Sequence, residues 1–276
     1  MRLFSTNDIL RNITKLSFPY LKKSDDYNDH LLRDAYFKYL TQLGFFSYPS
    51  TDLPLFINYT PVGIEDYFVN FGKENSQQEV NDITWPYKNP KVRLHAIHQA
   101  YDSLKKHDNE FTRLFDILIY AVFSDTNGLY GGNSSNPKYP GFIGIHQDLL
   151  GNNIGLQEVL IHEFTHTAFF IDEHVHGYFT DYDIAKKERI TSGMRGVPIP
   201  LDRALHSVIV ACEILLARDE LFSHQQDSLA HPMSDVIIPK SKHTIDLLRT
   251  HHNKTGIFKK RPLEILDRCV HTLNQY

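Results

Sequence analysis

"LQEVLIHEFTHTAFF", residues 156–170, decides how this chain is read. The stretch has the apolar content of a buried helix, yet it carries two histidines and a glutamate. A buried imidazole or carboxylate with no partner is strongly unfavourable, so such groups occur paired, hydrogen-bonded or bound to a metal. On a helix a four-residue step turns only about 40°, which places His162 and His166 one turn apart on the same face. Glu163 follows His162 by about 100°, near enough to reach a water on an ion held by the pair. Leu160, Phe164 and Ala168 make the opposite face apolar, so the helix is expected to be covered on that side as well. His-Glu-x-x-His in this setting is a metal-site pattern, with Glu163 as its acid–base group.

Two histidines do not complete a site. The downstream extension of metzincin peptidases is absent, because Phe169 stands where their glycine belongs and Asp172 where their third histidine belongs. A gluzincin would recruit a later glutamate, for which Glu188 and Glu213 are the candidates, although Glu188 lies in the charge run "KKER". His206 is the stronger third ligand. It opens an almost wholly apolar helix, between Leu205 and Val208, beyond a loop long enough for the two helices to pack side by side; the plainer alternative is a satisfied core histidine. Glu213, two turns along the same stripe, could orient a ligand imidazole from behind.

Outward from this segment, the 276 residues suffice for a full core without disulfide staples, and only Cys212 and Cys269 are present. A net charge of −4 gives no broad attraction to nucleic acid. The start "MRLFSTNDILRNITKL" lacks the apolar core of a signal peptide, and no apolar run approaches a membrane span, so a cytoplasmic location is expected.

We expect one domain over residues 1–276, mainly α with a small sheet (α+β): a helical part over 1–123, a metal-binding core over 125–222 and C-terminal helices over 240–276. "STNDILRNITKL" opens with a capping pattern at Ser5 and Asp8, and "LLRDAYFKYLTQLGFF" keeps helical periodicity up to Gly44. Residues 48–90 look irregular, with a short strand at "LFINYT" and aromatics, Trp85 among them, that could wall a pocket. "KVRLHAIHQAYDSLKKH" and "EFTRLFDILIYAVF" read as helices, "GFIGI" as a short strand and "GYFTDYDIAKKERITSGMRGVPIP" as a connecting loop.

Four stretches in order, covering about residues 125–220, carry a resemblance. They are "SSNPKYPGFIGI", "LIHEFTHTAFF", "MRGVPIPL" and "ALHSVIVACEILL". Together they resemble the His-Glu-x-x-His proteins of bacterial clusters that modify ribosomally made peptides, a family of 2-oxoglutarate-dependent, iron-containing peptide hydroxylases. The resemblance implies a zincin-like helical domain in which His162, His166 and His206 bind Fe(II), with Glu163 beside it and Arg195 as the nearby positive charge. The family's Trp-Arg followed by Arg-Pro-Leu reads here as Met194 before Arg195, then Ile199 before Pro200 and Leu201. One of two expected cations is therefore replaced, and a 2-oxoglutarate carboxylate, which favours a bidentate arginine, would fall to Arg195 or Arg203.

Two chemistries fit. In the first, Fe(II) and 2-oxoglutarate hydroxylate an amino-acid side chain that is free, carrier-bound or in a peptide. In the second, zinc activates water, Glu163 acts as general base, and the strand "GFIGI" aligns a peptide for hydrolysis.

Overall fold

A computed structural model describes residues 3–21, 28–44, 47–57, 90–124, 134–145, 152–192, 196–224 and 230–276. Arg195, Trp85 and most of the 48–90 region lie outside the described residues. The chain is mainly helical with a small sheet. Its helices are α1 (Thr6–Ser17), α2 (Asp29–Gln42), α3 (Pro90–His107), α4 (Asn109–Leu118), α5 (Asn153–His176), α6 (Tyr182–Lys187), α7 (Leu201–Glu220), α8 (Ser234–Thr255) and α9 (Lys260–Leu273). No described helix is long and apolar enough to cross a membrane.

Local chemistry sets the ends of these elements. Ser5 caps α1 by accepting the Asp8 N–H, as its sequence pattern predicts. Asn152 accepts the Gly155 N–H at the start of α5, and Gly177, at φ +59°, releases the chain after it. Asp202 lies in the first turn of α7, where its charge suits the helix N-terminus. "YAVF" leaves the helical pattern that precedes it: α4 stops at Leu118 and Ala121–Phe123 form β2. The run is buried throughout and covered on both faces, which suits a strand in a parallel sheet better than a helix with a solvent side.

β2 lies between β1 (Leu55–Ile57) and β4 (Phe142–Gly144), parallel to both, while β3 (Ser134–Ser135) runs antiparallel to β4 at the sheet's edge. The strand in "GFIGI" is therefore internal and cannot align a substrate; the edge next to α5 belongs to β3. The turn from β3 to β4 requires Gly141, at φ +88°, because a Cβ there would meet the Leu118 carbonyl at 2.9 Å. The segment before α7, expected to be a connecting loop, has regular structure. It contains α6 and a hairpin of β5 (Arg189–Thr191) with β6 (Pro198–Pro200), Ile190 opposite Ile199, and buried Ala185 and Ile190 give these short pieces an apolar anchor. The C-terminal helices also begin earlier than expected, at Ser234, with Pro239 inside α8.

α5 runs through the middle, packed by α7, α3, α1 and α4 and touching β3. Its apolar face is as anticipated: Leu160, Phe164 and Ala168 are buried, and Phe164 meets Phe111 and Phe115 at ring separations of 5.0 and 5.8 Å. Each such side chain contributes about 1.5–3 kcal/mol of burial. Near its C-terminus, Asp172 is buried and accepts hydrogen bonds from Asn12 (2.8 Å), Tyr178 (2.6 Å) and Arg261 through Nη2 (2.7 Å) and Nε (2.9 Å). One carboxylate thereby joins α1, α5 and α9. Asp172→Ala would leave a largely buried guanidinium short of its main counterion, and urea unfolding should show a loss of about 3 kcal/mol.

Candidate metal centre

His162, Glu163 and His166 converge: their ligand atoms lie within 4.8 Å of one another, and among the described residues they form the single such group. The two imidazoles meet through Nε2, 3.1 Å apart. Nitrogens bound at about 2.0–2.1 Å to one ion and separated by this distance would subtend roughly 95–100°, between the octahedral and tetrahedral values. The pair therefore fits iron and zinc alike. Glu163 Oε1 is 3.7 Å from His162 Nε2, and its side chain is buried while His162 is 24% exposed. Burial pushes the Glu163 carboxyl up from about 4.5 to about 8. The Ser135 hydroxyl on β3 opposes that rise, though it faces the carboxylate without the geometry of a full hydrogen bond.

His206 comes to the site from α7 but stands on its far side. Its Nδ1 is 3.3 Å from His166 Nδ1, the nitrogen turned away from His162, and its ring packs on Phe169. To share an ion with the two Nε2 atoms, His206 must turn its ring away from His166 Nδ1. Desolvation, then the neighbouring His166 and Arg203, hold the His206 pKa well below its ordinary value, so the ring is neutral and able to ligate. Arg203 is exposed one turn before it. Glu213 is buried and accepts the Leu3 N–H at 2.9 Å, which ties the N-terminal segment to α7.

The carboxylate that supports an imidazole is Glu158, which the sequence reading missed. His162 Nδ1 lies 2.7 Å from His231 Nε2, and His231 Nδ1 lies 3.0 Å from Glu158 Oε2. Glu158 in turn accepts from Arg218 Nε (2.7 Å) and Nη2 (3.2 Å), with both side chains 1% exposed. A signal existed for part of this. Glu158 is one turn before His162 on the stripe that continues to His166, and Arg218 interrupts an apolar run. Nothing in "LAHPM" marks His231.

Glu158 also fixes the protons along the row. With Glu158 as acceptor His231 donates from Nδ1, and with one hydrogen on each ring its Nε2 would accept from His162 Nδ1–H. His162 Nε2 then presents a lone pair toward the shared space, the state a metal needs.

His162→Ala and His166→Ala should abolish one-to-one metal binding in a titration, whereas His174→Ala and His176→Ala should leave it intact. His231→Ala should keep the stoichiometry and weaken affinity by about 10–100-fold. The metal-free chain should show a pH signature too. Between pH 4.5 and 8 the unfolded Glu163 loses its proton while the folded one keeps it, so wild type loses stability as pH rises through that window. Unfolding midpoints should show the relative advantage of Glu163→Gln growing across that interval and levelling off above pH 8. No protein-family model matches the chain, and no curated protein does.

Proposed function

We propose that the chain is a zincin-like, non-haem Fe(II) and 2-oxoglutarate-dependent oxygenase that hydroxylates an amino-acid side chain, free, carrier-bound or in a peptide. The observation that carries this reading is the donor set: two imidazole nitrogens 3.1 Å apart, a third imidazole against the second, and no described glutamate other than Glu163 in the cluster. A peptidase of the gluzincin type would need such a glutamate. His162 and His166 would hold the ion and His206 would complete the set after its ring turns. Bound there, Fe(II) with 2-oxoglutarate supplies the oxidation of an unactivated C–H bond by dioxygen.

The other roles belong to the chain's own groups. Arg203, on the exposed turn before His206, would take the far carboxylate of 2-oxoglutarate, a role for which Arg195 is the other candidate. Phe169 and Phe170 pack against His206 and would keep water from the reacting carbon. Glu163 would hold or release one proton beside the ion.

One observation favours a second reading. Glu163 is buried with Oε1 3.7 Å from His162 Nε2, the position from which a carboxylate would take a proton from water on a zinc ion and return it, as zinc peptidases require. In that case β3, at the sheet edge beside α5, would receive the peptide.

Anaerobic addition of Fe(II) and 2-oxoglutarate should produce a weak visible absorption band that needs both, and oxygen should then release succinate. Arg203→Ala should raise the KM for 2-oxoglutarate by about tenfold or more, the expected loss for one charged hydrogen bond. A colourless protein that takes up zinc alone and cleaves peptides would overturn the oxygenase reading in favour of the second.

A further inference from the structure

A second constellation of side chains lies beyond Arg218, outside the histidine cluster. Asp219 is in the last turn of α7, His224 follows it by five residues, and Ser234 is the first residue of α8. His224 Nε2 lies 2.5 Å from Asp219 Oδ1, and its Nδ1 lies 2.8 Å from Ser234 Oγ. Asp219 also accepts the Tyr276 hydroxyl, and the Tyr276 ring packs edge-on to His224 at 5.2 Å. Serine, imidazole and carboxylate thus stand in hydrogen-bonded order, and nucleophilic serines are recognised by that order and not by position in the chain.

The hydrogens follow from what each partner can accept. A carboxylate only accepts, so His224 donates from Nε2; with one hydrogen on the ring, Nδ1 is an acceptor and the Ser234 hydroxyl donates to it. Arg218 Nη1, which can only donate, meets the same oxygen at 3.0 Å. The Ser234 oxygen therefore has a base to take its proton and a cation beside it to favour negative charge. No side chain caps the start of α8, so its leading N–H groups have no acceptor within the helix, and such groups stabilise an oxyanion on a carbon attacked next to them.

We infer that Ser234 is the nucleophile of an esterase site, with His224 as its base and Asp219 as the positioning residue behind the imidazole. Ser234 Oγ bonds to the ester carbonyl carbon while its proton passes to His224 Nδ1. The C–O bond to the alcohol then breaks, the alcohol oxygen takes that proton, and water repeats the sequence on the acyl-serine to release the carboxylic acid. The His224 and Asp219 side chains are 30% and 40% exposed, so the base works in a medium close to water. That suits an ester, whose leaving oxygen needs little help from an acid, better than an amide, whose nitrogen must be protonated. Met233 precedes the serine and Val236 follows two residues on, both 37% exposed, which gives a short acyl chain an apolar surface. The site needs no ion and is independent of the proposed function.

Wild type incubated with an alkyl fluorophosphonate in the presence of EDTA should gain one phosphonyl group, which peptide mass spectrometry should place on Ser234, and p-nitrophenyl acetate should acetylate the same residue. Ser234→Ala should abolish both. His224→Ala, which keeps the serine and its arginine, should slow labelling by about 100-fold or more. Asp219→Asn should lower the maximal labelling rate by about tenfold, a modest loss because the carboxylate is half-exposed, and leave the half-saturating probe concentration unchanged. Absence of the phosphonyl group from wild type, its attachment only to other residues, or an undiminished rate in His224→Ala would each overturn the inference.

Discussion

Burial of α5 on nearly every side is the constraint from which the rest of the arrangement follows. A helix in that position must be apolar or must find a partner for each polar side chain, because an unpaired charge in the interior is far more unfavourable than any single packing contact is favourable. Glu158, His162, Glu163, His166 and Asp172 all lie on it. Asp172 is satisfied by Arg261, Asn12 and Tyr178, and Glu158 by Arg218 and His231. These two carboxylates draw in α1, α7, α9 and the segment before α8, so the polar groups of one helix determine much of what packs around it. Between them, His162 and His166 have imidazole partners, and Glu163 is left with a raised pKa. The unsettled group sits where chemistry is expected.

The row of imidazoles has a direction. With one hydrogen on each ring and the Glu158 carboxylate as the last acceptor, proton donation in the metal-free chain would run from His206 through His166 and His162 to His231. An ion held by both Nε2 atoms is compatible with His162 as it stands. It is incompatible with His166, whose Nε2 must give up its hydrogen and carry it on Nδ1. The contact with His206 then reverses, and His206 must accept there or swing away. Capture of an ion there would be coupled to the orientation of His206 through one hydrogen on His166, and the ring that would have to move is the proposed third ligand.

Legibility in the sequence followed the range of the interactions. His162 and His166 were readable because their relation is one helical turn, and the Ser5 cap was readable because it spans three residues. The role of "GFIGI" was misread because strand order in a sheet depends on partners far along the chain: β4 is internal only because β3, which precedes it, folds back along its outer side. Likewise "YAVF" fits a helix by periodicity and becomes a strand because β1 and β4 flank it. His206 was found by its apolar setting, while the side of His166 it would meet depended on how α7 crosses α5. His231 had no local signature at all, since its role comes from a carboxylate 73 residues earlier.

The Glu158–Arg218 pair has a purpose that stability alone does not explain. Replacing a buried ion pair with well-packed apolar residues is often neutral or stabilising, so its desolvation is poorly justified as a way to hold α5 against α7. A hydrophobic pair in the same place would remove the carboxylate that His231 Nδ1 meets at 3.0 Å. His231 would then be free to take the other tautomer, donate from Nε2 to His162 and turn the His162 hydrogen onto Nε2, where it would block the ion. Arg218 anchors the carboxylate through two nitrogens and also reaches Ser234 and the Pro232 carbonyl on either side of the turn into α8, which fixes the backbone just beyond His231. One guanidinium thus holds both the Glu158 carboxylate and the backbone next to His231 in place.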